Sequence, residues 1–189
     1  PQDFLQGEVF STTTRSFLAG PTGLGKSIFG LDIAGHMAAG MDFLHWPSKR
    51  PAKVLYIDGE MPVGLAKARI AGMAERLGEV PQLAYSNTED WPDFQPLNTP
   101  EGQLYIDHLI SQIGGVDYVF LDNLMSLISG SMIEEGPWAE TLPWVKSLTT
   151  RKIGVCIVDH TGNDPNKTYG TTTKKWQFDN VMLMKDNKN

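Results

Sequence analysis

Glycines, a lysine and a serine recur at fixed spacing near the start of the chain. They match the pattern G-x-x-x-x-G-K-[ST] at every defined position, over Gly20, Pro21, Thr22, Gly23, Leu24, Gly25, Lys26 and Ser27. Glycines at these positions let successive backbone N–H groups converge on a phosphate, and a helix that starts there adds partial positive charge. In such a loop the lysine reaches the β- and γ-phosphates, and the serine hydroxyl ligates Mg²⁺. We therefore expect ATP and Mg²⁺ as ligands.

An aspartate at the end of an apolar run is the second candidate metal ligand. Residues 118–121 read Tyr-Val-Phe-Leu, and Asp122 follows them. An apolar strand that ends in an acid is the Walker B pattern, whose aspartate contacts Mg²⁺ through water. The same pattern also occurs where a buried strand simply ends at a turn. Because a phosphate loop precedes it, we predict that Asp122 and Ser27 share the metal.

The general base must come from outside the Walker B strand. The residue after Asp122 is Asn123, at a position where many P-loop ATPases carry a water-activating glutamate. Glu60 follows the strand predicted after the phosphate-loop helix, at the edge of a parallel sheet where ligands bind. A carboxylate there could polarise the attacking water. Asp58 shares its strand parity and is the alternative base, and both acids could instead be solvated turn residues.

Apolar runs alternate with helical patterns along most of the chain. The strands are predicted at residues 16–19, 54–57, 116–121, 153–158 and 181–184. Continuous apolar strands that alternate with helices are typical of a mainly parallel sheet with helices on both faces, an α/β fold. Residues 83–98 are rich in prolines and polar clusters, and we predict no regular structure there.

Helices are predicted between these strands from their caps and periodicity. One covers residues 26–39 and ends at Gly40, and a second carries apolar residues at helical spacing and ends at Gly78. Thr99 and a following proline begin a third helix. A fourth covers residues 137–150, and Pro143 is expected to interrupt or kink it.

The composition is that of an ordinary globular protein. The chain of 189 residues is long enough for one domain, which we predict over residues 1–189. Its net charge of −6 argues against a wholly basic surface but allows a local basic patch. The single cysteine excludes an internal disulfide framework, and no apolar run reaches the length of a membrane span. We predict a cytoplasmic protein, and the proline at position 1 suggests a processed product or a fragment.

Together these motifs resemble the RecA-like ATPase core, and within it the hexameric replicative helicases of the RepA and DnaB type. The phosphate loop is generic, whereas Glu-Met-Pro from Glu60 onward recurs in these helicases, where the glutamate is the catalytic base. The likeness extends over residues 14–184. It implies hydrolysis of Mg-ATP by a homo-oligomeric ring, a hexamer in those helicases, coupled to movement along single-stranded DNA.

The likeness continues at the strand that ends in Val-Asp-His-Thr-Gly. His160 matches the position that senses the γ-phosphate in RepA-like proteins, although a strand-end histidine can also make a purely structural hydrogen bond. In that family an arginine further along reaches the neighbouring subunit's nucleotide, and here the matching residue is Tyr169. Lysines remain as sources of that charge, but lysine lacks the planar guanidinium fork. They are Lys167, Lys174 and Lys175.

The same lysines are the candidates for contact with DNA. Residues 165–189 contain five lysines against two aspartates, a local positive balance on an acidic protein. Lys167, Lys174 and Lys175 could contact phosphates, and Trp176 could stack on bases. The alternative is a solvated loop with a buried tryptophan.

Two other functions stay open at this point. A RecA-like ATPase can act as a regulatory switch that binds proteins and never unwinds DNA, and the acidic balance and the missing arginine favour it. A small P-loop kinase is the other alternative. Such kinases usually carry an arginine-bearing lid, and the arginines of this chain are not clustered.

Overall fold

The computed structural model describes residues 2–130, 136–160 and 177–186, and these ranges contain eight strands. The strands are β1 Phe4–Gln6, β2 Phe10–Ser11, β3 Arg15–Gly20, β4 Val54–Asp58, β5 Leu83–Asn87, β6 Tyr118–Asp122, β7 Gly154–His160 and β8 Asn180–Leu183. The last six form one sheet in the order β5-β4-β6-β7-β3-β8, and every neighbouring pair is parallel. The first two pair antiparallel beside it.

Helices cover both faces of this sheet, as predicted. The described residues form α1 Lys26–Ala39, α2 Val63–Leu77, α3 Pro100–Gln112, α4 Leu124–Leu127 and α5 Gly136–Thr150. Alternate strand residues such as Leu55 and Val119 pack with α3 and α5, whereas Tyr56 and Phe120 pack with α1 and α2. Within the described ranges, no helix is both long and apolar enough to cross a membrane. The predicted α/β architecture is confirmed.

The helix ends follow the signals in the sequence. Gly40 ends α1 with a φ of 69°, a left-handed conformation that glycine adopts without strain. Thr99 begins α3, and its side-chain oxygen accepts a hydrogen bond of 3.2 Å from the backbone N–H of Gly102. Both ends agree with the predictions.

Residues 83–98 are more regular than predicted. Their first five form β5, and a short 3-10 helix, Thr88–Asp90, follows. Because β5 is an edge strand, four of its five residues are only half-buried, so neither an apolar run nor a clear alternation marks it. Asn87 ends the strand, and its side-chain oxygen accepts from the N–H of Glu89 at 2.8 Å.

The predicted interruption at Pro143 is also absent. Helix α5 continues through this residue, although proline lacks an N–H group and crowds the preceding turn. Buried side chains on both sides of it, Trp138 before and Val145 and Leu148 after, pack into one core cluster. This shared packing holds both halves of the helix against the sheet.

The sheet register places the carboxyl ends of its central strands at one edge. Gly20 is paired with His160, and Asp58 with Asp122. Since the strands are parallel, the segments that follow them emerge on the same side, where ligands bind in open α/β sheets. The fold therefore gathers the phosphate loop, the Glu60 segment, Asp122 and His160 in one place.

Candidate nucleotide-binding site

The loop between β3 and α1 is open on one side of its backbone. Gly23 and Gly25 have φ angles of 85° and 80°, and nothing lies within 4 Å of the place where a Cβ would stand at either residue. Gly25 is the N-cap of α1, and no side chain caps that helix. The first backbone N–H groups of α1 are therefore available to a phosphate, which the helix dipole also favours.

Lys26 is the first residue of α1, directly after this loop. The residue is 5% exposed, and Nζ donates a hydrogen bond of 2.8 Å to the carbonyl oxygen of Pro21. Burial lowers the pKa of Lys26, while the negative charges of Asp122, Glu60 and Asp159 oppose that shift. A cation is thus positioned beside the carboxylates at the end of the sheet.

Asp122 is almost fully buried at the end of β6. The Tyr56 hydroxyl donates to its Oδ2 at 2.6 Å, whereas Oδ1 makes no hydrogen bond of standard geometry with the described residues. Burial raises the pKa of Asp122 to about 6. Hydrogen bonds from Tyr56 and Ser27 act in the opposite direction and only partly offset this effect. A buried carboxylate oxygen without a donor is costly unless a ligand completes it.

The residues at this point fit a magnesium ion. Oδ1 of Asp122 offers a carboxylate oxygen, and Ser27 offers a hydroxyl close enough to interact with that carboxylate. Hard oxygen ligands, few from the protein and the rest from phosphates and water, are the usual set for Mg²⁺. These two side chains are therefore the ones that could hold it.

Asp58 is saturated by hydrogen bonds from its own neighbourhood. Its Oδ1 accepts from the backbone N–H groups of Glu60 at 2.9 Å and Met61 at 2.8 Å. The Tyr85 hydroxyl donates to Oδ2 at 2.5 Å, and the residue is 1% exposed. Its carboxylate shapes the turn that carries Glu60 and does not line the cavity described below.

Glu60, Asn123 and His160 form a connected group across three strand ends. The Glu60 side chain is half-exposed, and Nδ2 of Asn123 donates to its Oε2. The same nitrogen lies 3.0 Å from Nε2 of His160. On the other side of its ring, Nδ1 of His160 lies 3.2 Å from Oγ1 of Thr22, a residue of the phosphate loop. Hydrogen bonds thus link the Glu60 carboxylate to the phosphate loop.

The hydrogen bonds of Asn123 favour one tautomer of His160. Asn123 Oδ1 accepts from the backbone N–H of Ser126 at 3.0 Å, which orients its NH₂ group toward Glu60 and His160. Because that group only donates, it favours the tautomer in which Nε2 of the ring accepts and Nδ1 carries the proton toward Thr22. Burial and the charge of Lys26 lower the pKa of His160, whereas the nearby carboxylate of Glu60 acts to raise it. The neutral ring is therefore favoured.

One cavity of about 400 Å³ joins these residues. Besides the phosphate loop, Glu60, Asp122, Asn123 and His160, it is lined by Leu65 and Arg69 from α2. Arg69 is half-buried, its Nη1 lies 3.4 Å from the sulfur of Met61, and it has no ion pair in the described part of the chain. Sequence reasoning did not single it out. The sequence feature that could have indicated it is the spacing of four residues between Leu65 and Arg69, which places both on one face of the helix after the Glu-Met-Pro turn.

The predicted DNA-contacting residues lie outside the described residues, and so does Tyr169. They are Lys167, Lys174, Lys175 and Trp176.

A family model described as an AAA domain matches residues 1–166 of the chain. No curated protein matches the sequence. Among solved structures, the crystal structure of a KaiC-like protein from the hyperthermophilic archaeon Pyrococcus horikoshii OT3 is similar, with a TM-score of 0.64 and 13% identity. That match covers 100% of this chain and 85% of the other. The likeness shows that both chains share the RecA-like P-loop fold.

Proposed function

We propose that this chain, which belongs to the AAA domain family of P-loop ATPases, hydrolyses Mg-ATP with Glu60 as its general base. One observation carries the proposal. Around a single cavity lie an open phosphate loop with Lys26, a buried oxygen of Asp122 that makes no hydrogen bond of standard geometry with the described residues, and the half-exposed carboxylate of Glu60. These are the parts that phosphoryl transfer to water needs.

The phosphate loop binds the triphosphate through its backbone N–H groups and Lys26. On binding, Nζ of Lys26 exchanges the Pro21 carbonyl for phosphate oxygens, because a charge-assisted hydrogen bond is the stronger one. A magnesium ion held by Ser27 and Asp122 would neutralise charge on the phosphates. Because Glu60 lines the same cavity, these groups position the γ-phosphate near its carboxylate.

Glu60 removes a proton from the attacking water. The water oxygen forms a bond to the γ-phosphorus, the bond from that phosphorus to the bridging oxygen breaks, and ADP and phosphate are released. Glu60 has this role in preference to Asp58, because both carboxylate oxygens of Asp58 already accept hydrogen bonds, from the backbone of its turn and from Tyr85. Asp58 instead positions the backbone of Glu60.

Arg69 supplies a positive charge to the same cavity from within the chain. An arginine that is half-buried and has no acidic partner among the described residues is available to a phosphate, which it can bind with two N–H groups. In RepA-like helicases the arginine that reaches the nucleotide comes from a neighbouring subunit, and here Tyr169 stands at that position. Arg69 therefore compensates in part for the missing residue.

We further propose that hydrolysis drives movement along single-stranded DNA in a ring, as the resemblance to RepA/DnaB-type helicases implies. His160 contacts the phosphate loop directly and the proposed base Glu60 through Asn123. It is also the last residue of β7, and the segment of residues 165–189 with its five lysines follows in the sequence. A change at the γ-phosphate can thus reach that segment. The competing proposal is a regulatory ATPase without helicase activity, which the absent arginine favours.

The test is ATP turnover by the full chain with Mg²⁺, with and without single-stranded DNA. We expect turnover that requires Mg²⁺ and rises on addition of a poly-dT strand. Turnover that no single strand stimulates would favour the regulatory ATPase. Phosphate transferred to a small-molecule acceptor in place of water would instead support a kinase and contradict hydrolysis.

A further inference from the structure

A second pocket lies away from the nucleotide cavity, at the end of the edge strand β5. It has a volume of about 270 Å³ and shares no residue with the cavity that contains the phosphate loop. Three aromatic rings line it, those of Trp91, Phe94 and Tyr105, together with the exposed acids Asp93 and Glu101. None of these residues has a role in the proposed hydrolysis.

The aromatic rings are held at angles to one another. The Trp91 ring centroid is 5.4 Å from that of Phe94 and 4.6 Å from that of Tyr105, with interplanar angles of 47° and 46°. Trp91 is 9% exposed, and its indole N–H donates to Ser86 at 2.9 Å. Because the ring is fixed by the core and by this bond, the pocket is formed before any ligand arrives.

The charge around this pocket is negative. Asp93 and Glu101 line it and make no ion pair within the described ranges, and Asp90 is exposed in the preceding turn. No lysine or arginine occurs anywhere in the sequence between Arg76 and Lys146. Within the described ranges, neither carboxylate is therefore neutralised by an ion pair.

We infer that this pocket binds an arginine side chain of a partner protein. Aromatic faces attract cations, and a planar guanidinium also stacks on them. Carboxylates at the pocket wall accept the guanidinium N–H groups. Apolar rings alone would suit a proline-rich segment as well, but the two exposed carboxylates, which make no ion pair with the described residues, favour a cation. The inference does not depend on the proposed hydrolysis.

The test uses the full chain labelled with ¹⁵N and a short acetylated peptide, Gly-Ser-Arg-Ser-Gly amide. The signal is the indole N–H resonance of Trp91, assigned by its loss in Trp91→Phe. We expect the arginine peptide to shift this resonance, and the same peptide with citrulline, an uncharged isostere of arginine, to leave it unchanged. A citrulline peptide or an uncharged proline-rich peptide that binds equally well overturns the inference, as does an arginine peptide that causes no shift.

Variants separate a built site from general attraction to an acidic protein. Tyr105→Leu keeps an apolar side chain but removes the ring, and we expect it to weaken binding about two- to fivefold, the usual effect of one exposed cation–π contact. Tyr105→Phe keeps the ring and should bind as the unchanged protein does. Glu101→Gln should weaken binding, whereas Glu75→Gln, which removes an exposed charge on α2, should not. Equal binding by Tyr105→Leu overturns the inference.

Discussion

The side-chain amide of Asn123 donates a hydrogen bond to the carboxylate of Glu60. Asn123 follows the Walker B aspartate, and its own oxygen is held by the backbone N–H and hydroxyl of Ser126. The strand β6 thus still acts on the proposed base, although it does not supply one. It positions a carboxylate that β4 contributes.

Replacing Asn123 should slow hydrolysis without preventing ATP binding. Asn123→Ala removes the donor that orients Glu60 and His160, so we expect kcat to fall about ten- to a hundredfold, with a smaller change in KM. Ser126→Ala is the control, because the backbone N–H of Ser126 still holds Asn123 Oδ1. Steady-state ATP turnover measures both. An unchanged kcat in Asn123→Ala would show that this hydrogen bond does not position the base.

Arg69 should matter for the nucleotide, and another arginine of the same helix should not. Arg69→Ala is expected to weaken ATP binding or lower kcat about tenfold, since it removes from the cavity a cation that has no ion pair with the described residues. Arg76→Ala is the matched control, because Arg76 is exposed and paired with Asp32 at 2.6 Å. Binding of a fluorescent ATP analogue and turnover are measured together. Equal loss in both variants would contradict a specific role for Arg69.

His160 should titrate below the usual range of a histidine, and Lys26 should be part of the reason. Burial comes first and the Lys26 charge second among the causes that lower the pKa of His160. The folded protein therefore binds this proton less readily than the unfolded chain. The contribution of this group to the stability of the fold is present above the unfolded pKa of about 6.5. It is lost as the pH falls through the lower pKa of the folded protein.

Ring resonances of His160 followed by NMR against pH measure this directly. We expect a midpoint below about 6.5 in the unchanged protein, and a higher midpoint in Lys26→Met, which removes the repelling charge. A midpoint of His160 that stays the same in Lys26→Met would contradict the coupling.

Most of the fold follows from local patterns in the sequence. The apolar runs of β4, β6 and β7 and the caps of α1 and α3 are local signals, because a parallel strand covered on both faces must be apolar throughout. Strand β5 lacks that signal, since it lies at the sheet edge and is half-buried. Core packing on both sides of Pro143, which keeps α5 continuous, is likewise not visible in a local pattern.

The candidate site was predictable where a motif is contiguous. The phosphate loop, Glu60, Asp122 and His160 each lie in a recognisable run, and the parallel register brings them together. The bonds of Asn123 to Glu60 and His160 join residues 63 and 37 positions apart. Such contacts depend on the register of three strands, so no local pattern indicates them.

An ion-pair cluster near the amino end of β4 should stabilise the fold in a pH-dependent way. Arg50 bonds to Asp3 at 2.7 Å and to Asp117 at 2.9 Å. Burial would raise the pKa of Asp117, but hydrogen bonds from Arg50 and from the Lys53 backbone N–H hold it below its usual range. This stabilisation is present above the unfolded pKa of about 3.9 and is lost as the pH falls through the lower folded value.

Arg50→Ala should therefore lower the melting temperature at pH 7 more than at pH 3. We expect a loss of about 1 kcal/mol at neutral pH, because Arg50 is partly exposed and solvent screens the pairs. Arg151→Ala, which breaks a single exposed pair with Asp107, should cost less. Thermal unfolding at both pH values provides the comparison. A loss for Arg50→Ala that does not depend on pH would contradict this account.

Glu60→Gln tests the central claim most directly. It removes the proposed base but keeps the shape of the side chain and an oxygen that can accept the hydrogen bond from Asn123. We measure ATP binding and turnover for Glu60→Gln, with Asp58→Asn and Lys26→Ala beside it. The account predicts that Glu60→Gln binds ATP as the unchanged protein does but turns it over about a hundred to ten thousand times more slowly. Lys26→Ala should lose binding itself. Normal turnover by Glu60→Gln, while Lys26→Ala abolishes activity, would contradict the assignment of Glu60 as the base.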